Sequence, residues 1–176
     1  LHKSLKPCNI YLDEYLTPKI GDFGLSTRFD SSESITVQSI SGIKATPVYS
    51  SPEVLLNNEY SKSSDVYAFA FIVFEIICDE IPFKEISNNN QIFREVVMNK
   101  NRPKIKDSVN ESFRNLINRC WSQEPNDRPS FEEIVYILKM DSGFINDNVD
   151  ADDYQKYINF IESQIQLKPE RKIVEE

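Results

Sequence analysis

The chain has 176 residues, 40% of them hydrophobic and 27% charged, with a net charge of −8. That length and balance suit one globular domain with a real core and exclude a disordered chain. The acidic surplus speaks against a nucleic-acid or anionic-membrane surface, and no apolar run reaches the roughly 18 residues of a membrane span.

The first predicted elements are two short runs, NIYLD (9–13) and PKIGD (18–22), which read as a small hairpin around a polar turn at Glu14. Residues 26–46 are rich in Ser and Thr and lack any sustained period, as in a long mobile loop. The hydroxyls between 26 and 51 are candidate phosphorylation sites. A helix is predicted from Ser63-Ser64-Asp65, whose short polar side chains suit a cap, to about Cys78, with Pro82 ending it. It is apolar on nearly all sides, which predicts a buried central helix.

A helix over 90–98 carries Ile92, Phe93, Val96 and Val97. NESFRNLINRCW (110–121) places Phe113, Leu116, Ile117 and Cys120 at helical spacing. Ser130 and Glu133 match a capping box at the head of SFEEIVYILKM. The last predicted helix covers about 152–167, with Tyr154, Tyr157, Ile158, Ile161 and Ile165 facing inward and a frayed tail beyond it. Cys8, Cys78 and Cys120 are far apart and lack metal-ligand spacing, and there is one histidine. Free thiols in a reducing compartment follow, and no His/Cys metal site. With no signal peptide before Leu1, the expected location is cytoplasmic.

Five motifs stand in one order. They are HKSLKPCN (2–9), DFG (22–24), TPVYSSPE (46–53), SDVYAFAFIVFEI (64–76) and CWSQEPNDRPSF (120–131). Together they resemble the C-terminal lobe of a eukaryotic protein kinase over about residues 1–140, and the last two look most like the tyrosine-kinase-like group. The resemblance implies a mainly α fold, the large lobe of an α+β kinase, with a short β-hairpin and an extra C-terminal helix. Residues 141–176 would form an appended acidic linker, helix and tail. It also implies ATP-dependent phosphorylation of protein Ser or Thr, with a protein substrate or docking partner.

The same resemblance supplies roles. Asn9 and Asp22 would be the Mg²⁺ ligands and hold the ATP phosphates, and both are hard oxygen donors. Lys6 would place positive charge beside the transferring phosphate, and Thr46 would brace the loop. His2 and Asp65 would be structural, and Glu53 with Arg128 would form a buried ion pair. The motif's catalytic aspartate is replaced by Ser4, whose neutral hydroxyl is a far poorer base. Lys3 replaces arginine, Ser51 an alanine, and Ala45 and Ala70 glycines. No G-x-G-x-x-G or V-A-I-K occurs, so the small lobe is expected to be encoded upstream, and little ATP binding is expected from these residues alone. Two other readings remain open: a pseudokinase that docks proteins around residues 90–98, and a gene fragment.

Overall fold

The computed structural model describes residues 1–27, the backbone of 35–36, and residues 46–145 and 149–166, the last three of these by backbone alone. The Ser/Thr-rich loop between 28 and 45, apart from residues 35–36, lies outside the described residues, as do Ala45 and the tail beyond 166. The fold is mostly helical with small antiparallel pairings, the class the motifs imply. Strand β1 (Ile10–Leu12) pairs with β2 (Pro18–Ile20), Tyr11 opposite Lys19. Asp13 closes the turn by accepting the N–H groups of Tyr15 and Thr17 at 3.0 and 2.9 Å. Strand β3 (Ile35–Thr36) pairs with β4 (Glu59–Tyr60) across helix α1 (Pro52–Asn57).

Helix α2 (Lys62–Cys78) is the axis of the molecule. Val66, Tyr67, Ala70, Phe71 and Phe74 are all within 1% of full burial, whereas Ile76 is 71% exposed. The helix begins slightly earlier than the sequence implies, its cap at Ser61 rather than Ser63. Ser61 is the N-cap, and its hydroxyl accepts the Ser64 N–H while the Ser64 hydroxyl accepts the Ser61 N–H. Asp65 therefore does not cap α2, and its carboxylate is left for another task. The helix ends at Asp79, in the left-handed region at φ 50°, before Pro82. A short polar side chain tolerates that conformation, which breaks the i to i−4 ladder.

The predicted 90–98 helix is two elements: α3 (Asn89–Phe93) and a wider π-helical turn (Arg94–Met98) that still buries Ile92, Val96 and Val97. Helix α4 (Glu111–Cys120) is capped by Asn110 and packs against α2, with Trp121 set beside Phe71 and Phe74 at ring separations of 5.5 and 5.9 Å. Helix α5 (Phe131–Met140) carries the Ser130–Glu133 capping box. The turn after it seats Phe144 edge-on against Phe113 at 4.9 Å. Helix α6 (Ala151–Gln166) leans on α5 through Tyr154, whose hydroxyl donates to the Leu138 carbonyl, and through a Lys139–Glu162 pair. Tyr157 is 48% exposed, contrary to the inward placement expected of it. The contact face is Tyr154, Ile158 and Ile161, and Tyr157 lies on its flank.

A long-range pair locks the two ends of this core. Arg128 donates from both terminal nitrogens to the two Glu53 oxygens at 2.7 and 2.9 Å, its side chain wholly buried. It also donates to the carbonyls of Ser122, Ser63 and Gln123. Tyr67 lies flat beneath the Arg128 and Arg102 guanidinium groups at 5.0 and 5.1 Å. Removing either partner strands a buried charge, at about 3–5 kcal/mol. Glu53→Ala and Arg128→Ala are each expected to cost that much in urea melts, and the double variant less than their sum. Full additivity would contradict the coupling.

The thiols give a second check. Cys8 is exposed, whereas Cys78 and Cys120 are buried, and burial pushes the Cys120 thiol up to about 12. One thiol is expected to react with a disulfide reagent at neutral pH in the native protein. The other two should react only on unfolding. A second fast thiol would contradict the packing of α4 on α2.

Candidate active site

The loop Leu1–Asn9 reaches its shape through one carboxylate. Asp65, in the first turn of α2, accepts the backbone N–H of His2 at 2.8 Å and of Lys3 at 2.9 Å, one on each oxygen. Lys3 can thereby sit at φ 66°, a left-handed conformation that costs a non-glycine residue energy unless its surroundings impose it. The Lys3 side chain turns inward. It is 9% exposed, its ammonium lies 5.4 Å from the centre of the Tyr60 ring, and burial holds its pKa below the usual lysine range.

His2 joins this loop to the next. Its Nδ1 accepts the Ser4 N–H, so Nε2 carries the proton that goes to the Gly21 carbonyl at 2.9 Å. Its ring meets Phe23 edge-on at 5.1 Å. Gly21 has a local reason to be glycine: a Cβ there would come within 2.7 Å of the Tyr11 ring. Asp22 follows in the left-handed region at φ 58° and opens a short 3-10 turn over Phe23–Leu25.

These constraints gather the polar side chains. Asn9 is buried, and its amide nitrogen donates to the Ser4 carbonyl at 2.7 Å, to the Ser4 hydroxyl at 3.2 Å and to the Asp22 carboxylate at 3.3 Å. Among the described residues, its amide oxygen accepts only a long contact from the Cys8 thiol at 3.8 Å. One Asn9 oxygen and the Asp22 carboxylate therefore stand together with coordinating capacity to spare. Lys6 donates to the Thr46 hydroxyl at 3.3 Å, linking the loop to the 46–53 segment. Ser4, Lys6, Asn9, Asp22 and Thr46 form one cluster. His2 and Asp65 stand behind it, and Glu53 with Arg128 lies apart from it at the base of α2.

The donor set fits one metal chemistry. Among the described residues there is no group of three or more His, Cys, Asp or Glu that could hold a metal ion, so a closed protein cage is absent there. Two hard oxygens suit Mg²⁺, which keeps waters and takes its remaining ligands from substrate phosphates. Beside the cluster, the hairpin and its neighbour leave Tyr11, Leu12, Leu16, Ile20 and Phe23 more than half exposed. Sequence reasoning missed two features here. The Tyr49 hydroxyl donates to Glu75 at 2.7 Å, and burial followed by that carboxylate raises the phenol's pKa well above its usual range. The inward turn of Lys3 was also hidden, because nothing local to HKS distinguishes it from a solvated lysine.

Comparison with known proteins gives a consistent picture. Residues 1–137 match the protein kinase domain. Over 139 residues the chain is 39% identical to the probable serine/threonine-protein kinase drkC of Dictyostelium discoideum, covering 79% of this chain and 18% of that one. It is 40% identical over 141 residues to the dual specificity protein kinase shkC of the same organism, covering 78% and 27%. With the dual specificity protein kinase shkE it shares 34% over 170 residues, covering 96% and 24%. The chain thus spans 18 to 27% of the length of these three relatives. No described helix is long and apolar enough to cross a membrane.

The Asp65 contacts give a direct test. Asp65→Asn leaves one carbonyl oxygen and turns an NH₂ toward a backbone N–H. Amide exchange at His2 and Lys3 is expected to accelerate, with a stability loss of about 1–3 kcal/mol. Unchanged protection at both amides would contradict the anchoring.

Proposed function

The chain belongs to the protein kinase domain family, and from that membership we propose that residues 1–140 are the phosphate-transfer lobe of a serine/threonine-type kinase of the tyrosine-kinase-like group, slowed by Ser4. Residues 141–176 are an appended acidic linker, helix and tail. The location is cytoplasmic. The observation that carries the reading is the convergence of Ser4, Asn9 and Asp22 through the Asn9 amide. Asn9 and Asp22 are the residues that would hold Mg²⁺, which when bound neutralises charge on the ATP phosphates and orients them. Lys6 adds a compact positive charge on the same side, next to Thr46 of the segment that presents the acceptor hydroxyl.

The weak member is Ser4. Its hydroxyl is neutral near pH 7 and already accepts a hydrogen bond from Asn9, so it takes a proton from a substrate hydroxyl poorly. A missing general base costs on the order of 10² to 10⁴ in rate. Nothing in the described residues encloses a nucleotide base. The apolar hairpin surface beside Asp22 is the face on which a small lobe, encoded upstream, would close. A protein-docking pseudokinase is the second reading. Its docking surface would lie around residues 90–98, where Met98 is 68% exposed.

The test supplies a compatible small lobe as a fusion and compares Ser4 with Ser4→Asp, both checked for folding and Mg-ATP binding. Labelled phosphate transfer to serine, threonine and tyrosine peptides is the readout. The aspartate is expected to raise transfer to serine and threonine about 10²-fold or more. Equal rates in two folded, nucleotide-bound proteins would remove Ser4 as the block. A fast Ser4 protein would overturn the impaired-kinase reading.

A further inference from the structure

Between the 1–9 loop, segment 46–51 and the first turns of α2 lies a small, partly open pocket of about 30 Å³, walled by polar and apolar side chains in about equal measure. Its wall includes Ser4, Lys3, Thr46, Ser51, Ser64 and Asp65. Ser51 is the anomaly. It occupies the N-cap position of α1, where a serine hydroxyl ordinarily accepts a helix N–H, yet its side chain makes no cap bond. It is 1% exposed, and its hydroxyl has no hydrogen-bond partner. A buried hydroxyl left unpaired is costly, and an ordered solvent molecule is a usual explanation.

Two further groups on that wall have bonding capacity to spare. The Ser4 hydroxyl accepts from Asn9 and keeps its own proton to donate. The Lys3 ammonium lies over the Tyr60 ring and feels the charge of Asp65 without forming a close ion pair with it. Asp65 is on the same wall, and its oxygens each accept one backbone N–H and can accept again. Donors and acceptors thus line one pocket. Meanwhile the only direct side-chain bond between the 1–9 loop and segment 46–51, among the described residues, is the long, exposed Lys6–Thr46 contact.

We propose that this cavity is a built water site, and that one or two buried waters anchored on Ser51 fasten segment 46–51 to Ser4 and Asp65. A space of this size, measured by water-sized probes, takes one or two waters, and each needs two to four polar partners. A tetrahedral oxyanion needs more room. The tie holds the segment against the loop that carries Ser4. It stands whether or not nucleotide binds, so its failure and that of the kinase reading are separable.

The experiment uses the full chain in solution. Water-to-amide magnetisation transfer by NMR is expected to show long-lived water at the amides of Ser51 and its neighbours in the wild type. Inorganic phosphate should leave those amides unshifted. In Ser51→Ala, amide exchange over 46–51 should accelerate about three- to tenfold, the loss of one bridged hydrogen bond, while α4 amides keep their protection. A dry cavity in the wild type overturns the proposal, as does a saturable phosphate shift at Ser51, which would assign the site to an oxyanion. Equal exchange in a folded Ser51→Ala overturns the fastening role.

Discussion

The structure hangs on a carboxylate that serves two backbone N–H groups at once. Asp65 sits in the first turn of α2 and accepts from His2 and Lys3, 63 and 62 residues away in sequence. Charge-assisted bonds of this kind are stronger than neutral ones, and burial strengthens them further. They hold Lys3 in a left-handed conformation that a lysine would not choose. The reversal of direction at Lys3 lets the chain turn back so that Ser4 and Asn9 meet Asp22. Asp65 is free for this because Ser61 and Ser64 cap α2 between themselves.

The second support is the buried pair of Glu53 and Arg128. Its Coulomb attraction is offset by desolvation, so its value lies less in stability than in definition. Arg128 uses five hydrogen bonds to tie α1, the start of α2 and the turn before α5 into one arrangement. The aromatic packing of Phe71, Phe74 and Trp121 fills the space above. A rigid base follows, on which the 1–9 loop and segment 46–53 are placed. The cluster of Ser4, Lys6, Asn9, Asp22 and Thr46 is polar, partly open and held by few bonds.

The same contrast explains the apolar surface. On α2, the faces toward α4 and the 1–9 loop are buried, but Ile76 is not. The hairpin is fixed by its ladder and by Asp13 while most of its large side chains face solvent. Two strands have too little surface to bury both faces by themselves. Helix α6 shows the milder case, with one stripe used and its flank, Tyr157 and Phe160, left half exposed.

Much was legible in the residues. Strand alternation and turn chemistry gave the β1–β2 hairpin, the spacing of Leu116, Ile117 and Cys120 gave α4, and Ser130 with Glu133 gave the start of α5. The order of five motifs gave the family and the residues of the cluster. These signals are local, carried by neighbours in the chain, so sequence alone determines them. Tertiary structure decided the rest: that Ser61 rather than Ser63 caps α2, that Lys3 turns inward over Tyr60, that Tyr49 meets Glu75, that Tyr157 stays in water, and that the Ser51 hydroxyl is buried without a partner. Each depends on which distant surface arrives to cover or hydrogen-bond a side chain. Free energies of burial and pairing belong to the two surfaces jointly, and no window of sequence contains both.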